Sequence, residues 1–166
     1  ILKYAMSSGT KRIVYASTMS VYGKAKDGPV SEDATTFPES LYGVGKLASE
    51  NYLRIYEQYG INSTSIRLFN VYGPGQNLIN MRQGMVSIFM AQMVKQNKIH
   101  VKGCPDRYRD FIYIDDVVDS FIACLECEES YGQIINIATG VKTTIKKLIE
   151  EMISLYGKDI PAKYEG

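Results

Sequence analysis

The sequence contains no tryptophan and one histidine, His100, among its 166 residues. A single histidine excludes a catalytic or metal site built from several histidines, and we expect no metal. Three cysteines are too few for a disulfide scaffold, and their odd number favours a reducing, cytoplasmic location. No apolar run reaches the roughly 18 residues of a transmembrane helix, so we expect no membrane span.

An excess of charge of one sign is also missing. Nineteen Lys and Arg against eighteen Asp and Glu give a formal net charge of +1. This balance provides no strong electrostatic attraction for nucleic acid or for an anionic membrane, and we expect neither as a partner. The 45% apolar and 22% charged residues are typical of a folded globular domain.

Both ends of the sequence lead us to expect a piece of a longer chain. Residues 1–5 (ILKYA) lack an initiator methionine and the basic start of a signal peptide, and they begin inside a predicted helix. Residues 162–166 (AKYEG) stop without a predicted closing element.

Alternating strands and helices predict a parallel α/β sheet. The run KRIVYAS at 11–17 is apolar on both faces, as in a central strand covered on both sides. Further strands are predicted at 63–69, 99–101, 109–114 and 133–138. Helices are predicted at 1–8, 39–59, 83–96, 115–126 and 145–156, with long loops at 18–38 and 70–82. The expected caps of the last two helices are Asp115 or Asp116, and Thr143 or Thr144.

Two familiar patterns occur in the wrong context. G-x-G-x-x-A at 43–48 lies inside a predicted helix, whereas the dinucleotide fingerprint needs a strand-to-helix turn. Close packing of that helix explains its glycines better. C-x-x-C at 124–127 lies near a predicted helix C-terminus, where the helix dipole disfavours a thiolate, so we expect a structural role.

Tyr42 and Lys46 are four residues apart on a predicted helix and therefore share a face. An ammonium group near a phenol stabilises the phenolate, which can act as a general base towards a sugar or alcohol hydroxyl. Thirteen tyrosines make a chance Tyr-x-x-x-Lys match common, so this pair needs support from its neighbours.

Polar residues near other strand ends supply that support. Thr18 ends the first strand, Asn70 follows the next, and Arg109 opens the segment RDFIYIDD. A hydroxyl can bind the same substrate oxygen as a tyrosine, and a guanidinium suits a diphosphate. Plain structural roles stay open for each: a capping Thr, a turn Asn and a surface Arg–Asp pair. The same holds for His100 beside a strand and for Lys102 as a solvated lysine.

Four motifs occur in order: STMSVYG at 17–23, YGVGK at 42–46, RLFNVYGP at 67–74 and RDFIYIDDV at 109–117. Together they resemble extended short-chain dehydrogenases/reductases, and within them the NAD-dependent nucleotide-sugar epimerases and dehydratases, especially UDP-glucose 4-epimerase-like enzymes. The resemblance implies a Rossmann-like parallel sheet with helices on both faces and a small substrate-binding α/β part. Residues 1–75 would be the C-terminal half of the NAD-binding domain. Residues 76–166 would mainly bind substrate, with 109–126 returning to the Rossmann core.

The resemblance also implies roles around the NAD cofactor. Tyr42 would be the base, and Lys46 would hold the nicotinamide ribose and favour the phenolate. Thr18 would share the sugar hydroxyl, while Ser17 would lie along the nicotinamide side. Phe69 would contact the nicotinamide carboxamide through its backbone.

For the substrate, the resemblance implies that Asn70 and Arg109 hold the diphosphate of a nucleotide sugar, most simply a UDP-sugar. Met85 and Val86, together with the strand from His100 to Lys102, would border the base. The implied reaction oxidises the sugar at C4, turns the 4-keto sugar over and reduces its other face. Family enzymes are often homodimers through a helix bundle that includes the Tyr42 helix, to which Leu53 or Tyr56 could contribute.

Two departures from the family pattern matter. Related 4,6-dehydratases carry Asp-Glu directly after the catalytic Thr, where this chain has Met19 and Ser20, so 4,6-dehydration is disfavoured. The Gly-rich opening that binds the ADP half of NAD is absent, which would leave KRIVYAS as an apolar edge strand prone to aggregation. We therefore expect the 166-residue chain alone to bind NAD poorly and to be inactive.

Three functions stay open at this point. The first is a nucleotide-sugar 4-epimerase present as a fragment. The second is a reductase, decarboxylase or dehydratase of a nucleotide sugar from the same superfamily. The third is a truncated, non-catalytic chain that binds a nucleotide sugar or a partner.

Overall fold

The computed structural model describes residues 1–24, 28–79 and 84–165. Its helices are α1 (Leu2–Ser7), α2 (Leu41–Tyr56), α3 (Met85–Gln96), α4 (Ile114–Glu126) and α5 (Ile145–Tyr156). Its strands are β1 (Arg12–Thr18), β2 (Asn62–Leu68), β3 (Asn70–Tyr72), β4 (Ile99–Lys102), β5 (Tyr108–Arg109), β6 (Phe111–Tyr113), β7 (Ile134–Ile137), β8 (Thr143–Thr144) and β9 (Ala162–Glu165). Short 3-10 helices occupy Met19–Tyr22, Glu57–Tyr59 and Glu128–Ser130.

The first of two compact units, unit 1, comprises Ile1–Phe69 and Asp115–Ile137. Its sheet has the order β1-β2-β7 with all strands parallel, which confirms the predicted parallel α/β architecture. The register pairs Ser17 with Arg67 and Arg67 with Asn136, so these three side chains form a row across one face of the sheet. Within the described part of the chain, β1 pairs with β2 alone and is an edge strand.

The second unit, unit 2, comprises Asn70–Ile114 and Ala138–Gly166. It contains two parallel strand pairs, β3-β6 and β4-β9, and one antiparallel pair, β5-β8. Helices α3 and α5 supply much of an apolar core with β4, and its buried members are Phe89, Met93, Ile99, Val101, Ile145, Ile149 and Ile160.

Most predicted elements are present with shifts of one to three residues, but three predictions are wrong. The predicted loop at 70–82 begins with strand β3, and residues 80–82 of it lie outside the described residues. The predicted strand at 109–114 divides into β5 and β6, which pair with different strands. The chain end at 162–165 forms β9, which pairs with β4.

The helix ends in the structure can be compared with the caps expected from the sequence. The Thr144 side chain accepts a hydrogen bond from the Lys147 amide at 3.1 Å, which confirms it as the cap of α5. Asp115 and Asp116 lie inside the first turn of α4 and so do not cap it. Carboxylates in a first turn still interact favourably with the helix dipole. The predicted start of α3 at residue 83 lies outside the described residues.

The two glycines of the G-x-G-x-x-A pattern lie inside α2, as predicted, but have different surroundings. A Cβ at Gly43 would lie 2.7 Å from the Ser20 carbonyl oxygen and 3.0 Å from the Pro38 Cβ, so this glycine allows close packing. A Cβ at Gly45 would meet no described atom within 4 Å. The packing explanation therefore holds for Gly43 and fails for Gly45.

This contrast predicts opposite effects of the same substitution. Gly43→Ala is expected to destabilise the protein by about 1–3 kcal/mol, because the helix must move away from Ser20. Gly45→Ala is expected to stabilise it by about 1 kcal/mol, since alanine is the better helix former. Urea unfolding of both variants checks this, and equal midpoints would contradict the assigned packing.

Candidate functional site

Tyr42 and Lys46 lie on one face of α2, close to its first residue. The helix begins where the Ser40 side chain accepts a hydrogen bond from the Gly43 amide at 3.0 Å. Lys46 Nζ donates to the carbonyl oxygen of Ala16 at 2.7 Å and lies 5.6 Å from the centre of the Tyr42 ring. The Tyr42 side chain is 56% exposed, so a ligand can reach its hydroxyl.

Thr18 lies at the end of β1, two residues after the carbonyl that Lys46 binds. Its Oγ1 accepts a hydrogen bond from the Ser20 amide at 3.2 Å and donates to Ser20 Oγ at 3.2 Å. Thr18 therefore caps the 3-10 helix Met19–Tyr22, which is the structural role left open above. The bond from Lys46 to β1 brings Thr18, Tyr42 and Lys46 into the same part of unit 1.

A buried ion pair lies directly beside these residues. Arg67 on β2 binds Glu50 on α2 through two bonds, Nη2 to Oε2 at 2.8 Å and Nε to Oε1 at 3.1 Å. The Ser17 hydroxyl on β1 donates to the same carboxylate. Ser17, Glu50 and Arg67 are each at most 5% exposed. The Ser17 side chain, expected along the nicotinamide, is thus turned towards Glu50.

The pair extends into a wider polar network. Arg67 Nη1 donates to the Tyr22 hydroxyl at 2.8 Å, which donates to Asn136 Oδ1 at 2.7 Å. The backbone amide of Asn136 donates to Glu32 Oε1 at 2.8 Å. Burial disfavours the charged guanidinium, but its hydrogen bonds to Glu50 and Tyr22 outweigh that cost and raise the pKa of Arg67. The guanidinium is therefore charged inside unit 1.

In unit 2, Asn70 binds the backbone of Asp110, the residue that follows Arg109 in the chain. The backbone amide and the side-chain Nδ2 of Asn70 both donate to the Asp110 carbonyl, at 3.1 and 2.8 Å. The Asp110 carboxylate accepts bonds from the backbone amides of Thr139 and Gly140, at 2.9 and 2.7 Å. Asn70 is thus part of a strand rather than a turn. The bonds to Asp110 fix the backbone next to Arg109, whose Nη1 donates to the Tyr108 carbonyl at 2.7 Å.

Three of the residues expected near a nucleotide base line one cleft in unit 2. Its volume is ≈ 330 Å³, at the lower end of ligand pockets of roughly 300–1,000 Å³. Its lining residues are Met85, Ile88, Phe89, Gln92, His100, Lys102 and Arg107. Val86 lies instead in a more apolar cleft with Tyr72 and Tyr113.

Charged groups surround His100 at this cleft. His100 Nε2 lies 2.7 Å from Glu165 Oε2, and Lys163 Nζ lies 2.7 Å from the other oxygen of Glu165. The hydrogen bond from Lys163, which has the larger effect, and that from His100 both lower the pKa of the Glu165 carboxyl. His100 therefore has a structural partner on β9, a strand that the sequence did not predict.

The other sequence signals have plain structural settings. The Phe69 amide donates to the Ile137 carbonyl at 3.2 Å. Cys124 lies in the last turn of α4, and burial raises the pKa of its thiol, while Cys127 is exposed. No group of three or more His, Cys, Asp or Glu side chains within residues 1–24, 28–79 and 84–165 could hold a metal ion. None of the helices in those ranges is long and apolar enough to cross a membrane.

Sequence reasoning missed two sets of residues. Glu50 and Arg67 were not singled out, although Glu50 lies four residues after Lys46, on the helix face that also carries the buried Gly43 and Leu53. Gln92 and Arg107 of the cleft lie far apart in sequence and show no shared pattern. The Gln92 side chain accepts a bond from the His100 amide at 2.8 Å, a contact that only the fold creates.

Comparison with known families gives this site its context. Residues 1–138 match the model of the NAD dependent epimerase/dehydratase family. The chain belongs to this family. Its members act on nucleotide sugars as epimerases, dehydratases or reductases, with NAD as the cofactor.

Relatives within the family catalyse different reactions. The dTDP-4-dehydro-6-deoxyglucose reductase of Escherichia coli is 40% identical over 150 residues, covering 89% of this chain and 46% of that protein. The UDP-glucose 4-epimerase of Mycolicibacterium smegmatis is 35% identical, covering 87% and 46%. The chain therefore spans about half the length of the curated relatives it matches.

Solved structures of family members share the fold. The UDP-N-acetylglucosamine 4-epimerase of Methanobrevibacter ruminantium, in complex with UDP-N-acetylmuramic acid, has a TM-score of 0.91 at 28% identity, covering 96% of this chain and 51% of that one. The UDP-glucuronic acid 4-epimerase of Bacillus cereus, in complex with UDP-glucuronic acid and NAD, has a TM-score of 0.87 at 30% identity, covering 99% and 51%. These likenesses confirm the Rossmann-like expectation for this chain.

Proposed function

We propose that this chain is part of an NAD-dependent 4-epimerase that inverts C4 of a UDP-sugar through a transient 4-keto intermediate. The observation that carries the proposal is the position of Lys46, which is bonded to the end of β1 and lies beside the accessible Tyr42. A phenol next to a fixed ammonium group is suited to remove a proton from a sugar hydroxyl.

The residues of unit 1 fit the nicotinamide half of NAD. The Lys46 ammonium can donate to ribose hydroxyls without leaving the Ala16 carbonyl, because an ammonium group has three protons. When bound, NAD would accept the hydrogen at C4 as hydride and return it. We accordingly assign unit 1 mainly to cofactor binding and unit 2 mainly to substrate binding, while the division between residues 75 and 76 stays a prediction.

The proton chemistry falls to three side chains. Tyr42 takes the proton of the C4 hydroxyl as the phenolate and returns it at the end of the cycle. Lys46 stabilises the phenolate through its positive charge. Thr18 shares the sugar hydroxyl through Oγ1, whose second lone pair is available beside its bond from the Ser20 amide.

Unit 2 would hold the nucleotide. We propose that Asn70 and Arg109 bind the diphosphate, and the fixed backbone around Asp110 supports this role for Arg109. The cleft that contains Met85, His100 and Lys102 would take the base, and its volume suits a group of that size. Val86 lies next to Met85 on α3 and would act only at the border of that pocket.

A nucleotide-sugar reductase is the second candidate function. The 40% identity to the reductase of Escherichia coli favours it over a decarboxylase, a dehydratase or a non-catalytic chain. It differs from an epimerase in consuming a reduced nicotinamide with every turnover, whereas an epimerase regenerates its cofactor.

Product analysis of the native full-length protein separates these functions. The protein is incubated with UDP-glucose, and separately with dTDP-4-dehydro-6-deoxyglucose and a reduced nicotinamide. We expect the C4 epimer of UDP-glucose with no net change in reduced nicotinamide. Consumption of reduced nicotinamide with the second substrate alone would establish the reductase instead. Binding of UDP-glucose without turnover of either substrate would favour a non-catalytic chain.

We also propose a homodimer through α2. This helix exposes a stripe of apolar side chains, Leu41, Val44, Tyr52 and Ile55. Leu53 is 4% exposed and packs inside unit 1, so it cannot contribute as expected from the sequence. Tyr56 is half-buried and pairs with Tyr59, at 5.6 Å between ring centres. Light scattering of the native protein measures the assembly mass.

A further inference from the structure

We propose that Glu50 is a positioning residue that fixes the end of β1 against α2, so that Thr18 meets Tyr42 and Lys46 in the geometry needed for catalysis. The proposal rests on the proposed function for its effect on rate. Its structural basis is a single carboxylate that binds one residue on each of two neighbouring strands.

The carboxylate joins three elements at one point. Ser17 and Arg67 are direct partners in the register of β1 and β2, and both donate to Glu50 on α2. The next residue along β1 is Thr18. A shift of α2 along or around its axis would therefore break bonds to two strands at once.

Lys46 provides the second fixed point, one helical turn before Glu50. It binds the carbonyl of Ala16, so two side chains of α2 hold two consecutive residues of β1. Tyr42 lies one further turn towards the helix start and is exposed. A helix held by one attachment could rotate about it. Two attachments one turn apart fix the rotation of α2 and the position of Tyr42 along the helix axis.

The cost of burying these charges indicates that the ion pair does more than stabilise the fold. A buried ion pair contributes little net stability compared with apolar side chains of the same size, because both charges lose their hydration. Its directional bonds, in contrast, allow only one relative placement of the groups they join. The bidentate contact between Arg67 and Glu50 holds the carboxylate in a single orientation, with Oε1 facing Ser17.

The test is Ser17→Ala in the native full-length protein, because it cuts the link to β1 and leaves the ion pair intact. Ser63→Ala is the matched control, since the buried Ser63 makes the same kind of bond, to Glu57 Oε1 at 2.9 Å, at the other end of β2. We expect Ser17→Ala to lower kcat about tenfold or more while KM changes little, as for a misplaced catalytic group. Ser63→Ala should leave both constants unchanged.

Two further measurements separate positioning from direct contact with NAD. If Ser17 acts through Glu50, adding Ser17→Ala to Glu50→Gln lowers kcat much less than it does in the wild type, because the link is already disturbed. Ser17→Cys, which keeps a weak donor, should recover part of the rate. Additive losses from Ser17→Ala and Glu50→Gln would overturn the proposal. If Glu50→Gln does not fold, amide hydrogen exchange in Ser17→Ala and Ser63→Ala decides instead.

Amide hydrogen exchange gives a readout independent of the reaction. We expect the amides of the segment Met19–Tyr22, which follows Thr18, to exchange about tenfold faster in Ser17→Ala than in Ser63→Ala. Equal exchange in the two variants would overturn the proposal whatever the enzyme catalyses. A wild-type protein that converts no nucleotide sugar would instead contradict the proposed function, and exchange would still decide whether Glu50 fixes the end of β1.

Discussion

Replacing Tyr42 with phenylalanine in the native full-length protein is expected to lower turnover by roughly 10²–10⁴-fold. The substitution removes only the hydroxyl, which is the proposed base, and keeps the ring beside Lys46. NAD binding should remain close to that of the wild type, because the Lys46 ammonium and its bond to Ala16 are unchanged. Measured kcat and the NAD content of the purified protein check both parts.

Tyr52→Phe is the matched control for this experiment. Tyr52 lies on the same helix and is 59% exposed, close to the 56% of Tyr42, but it lies away from the end of β1. Its replacement should leave kcat within about twofold, because the ring that contributes to the proposed dimer stripe is kept and the lost hydroxyl has no catalytic role. Near-normal turnover of Tyr42→Phe would refute the assignment of the base, whereas equal losses in both variants would indicate a general effect on α2.

Glu50→Gln is expected to cost about 3–5 kcal/mol of the free energy of unfolding. The substitution keeps the size of the side chain but removes its charge, and it leaves the buried guanidinium of Arg67 without a counter-ion. The remaining acceptors, the Tyr22 hydroxyl and the Glu32 carbonyl, are both neutral. Denaturant unfolding of the native protein, with midpoint and slope fitted separately, measures the loss.

An exposed ion pair provides the control for burial. Glu151 lies 3.8 Å from Lys147 on α5, and both side chains are more than half exposed. Glu151→Gln should change the free energy of unfolding by less than about 1 kcal/mol, because solvent screens the pair. Adding Arg67→Met to Glu50→Gln should recover much of the loss, since no buried charge then remains. Equal losses at positions 50 and 151 would contradict the buried ion pair.

Long elements with a clear pattern could be predicted from the sequence. The apolar run of β1 and the periodic apolar positions of α2 each span at least seven residues, which is enough for a pattern to emerge. Strand β3 has three residues and is followed directly by Gly73 and Pro74, so the turn signal concealed it. Strand β9 has four residues, and its pairing with β4 depends on a distant part of the chain.

In the candidate site, too, only residues with a local sequence signal could be predicted. Tyr42 and Lys46 could be identified because their chemistry and spacing are local, and Thr18 because it ends a strong strand. Glu50 and Arg67 could not, because a charged residue is usually exposed and nothing local predicts that two charges bury each other. Their pairing depends on how α2 packs against β2, which no short motif encodes.

The chain leaves unit 1 after Phe69, returns at Asp115 and leaves again after Ile137. Unit 2 is therefore encoded by two separate stretches, and the pairs β5-β8 and β4-β9 each join one stretch to the other. A chimera built to exchange substrate preference between relatives must transplant both stretches together, because either one alone would leave unpaired strands. Insertions and deletions during evolution face the same constraint, which favours paired changes in these two parts of the gene.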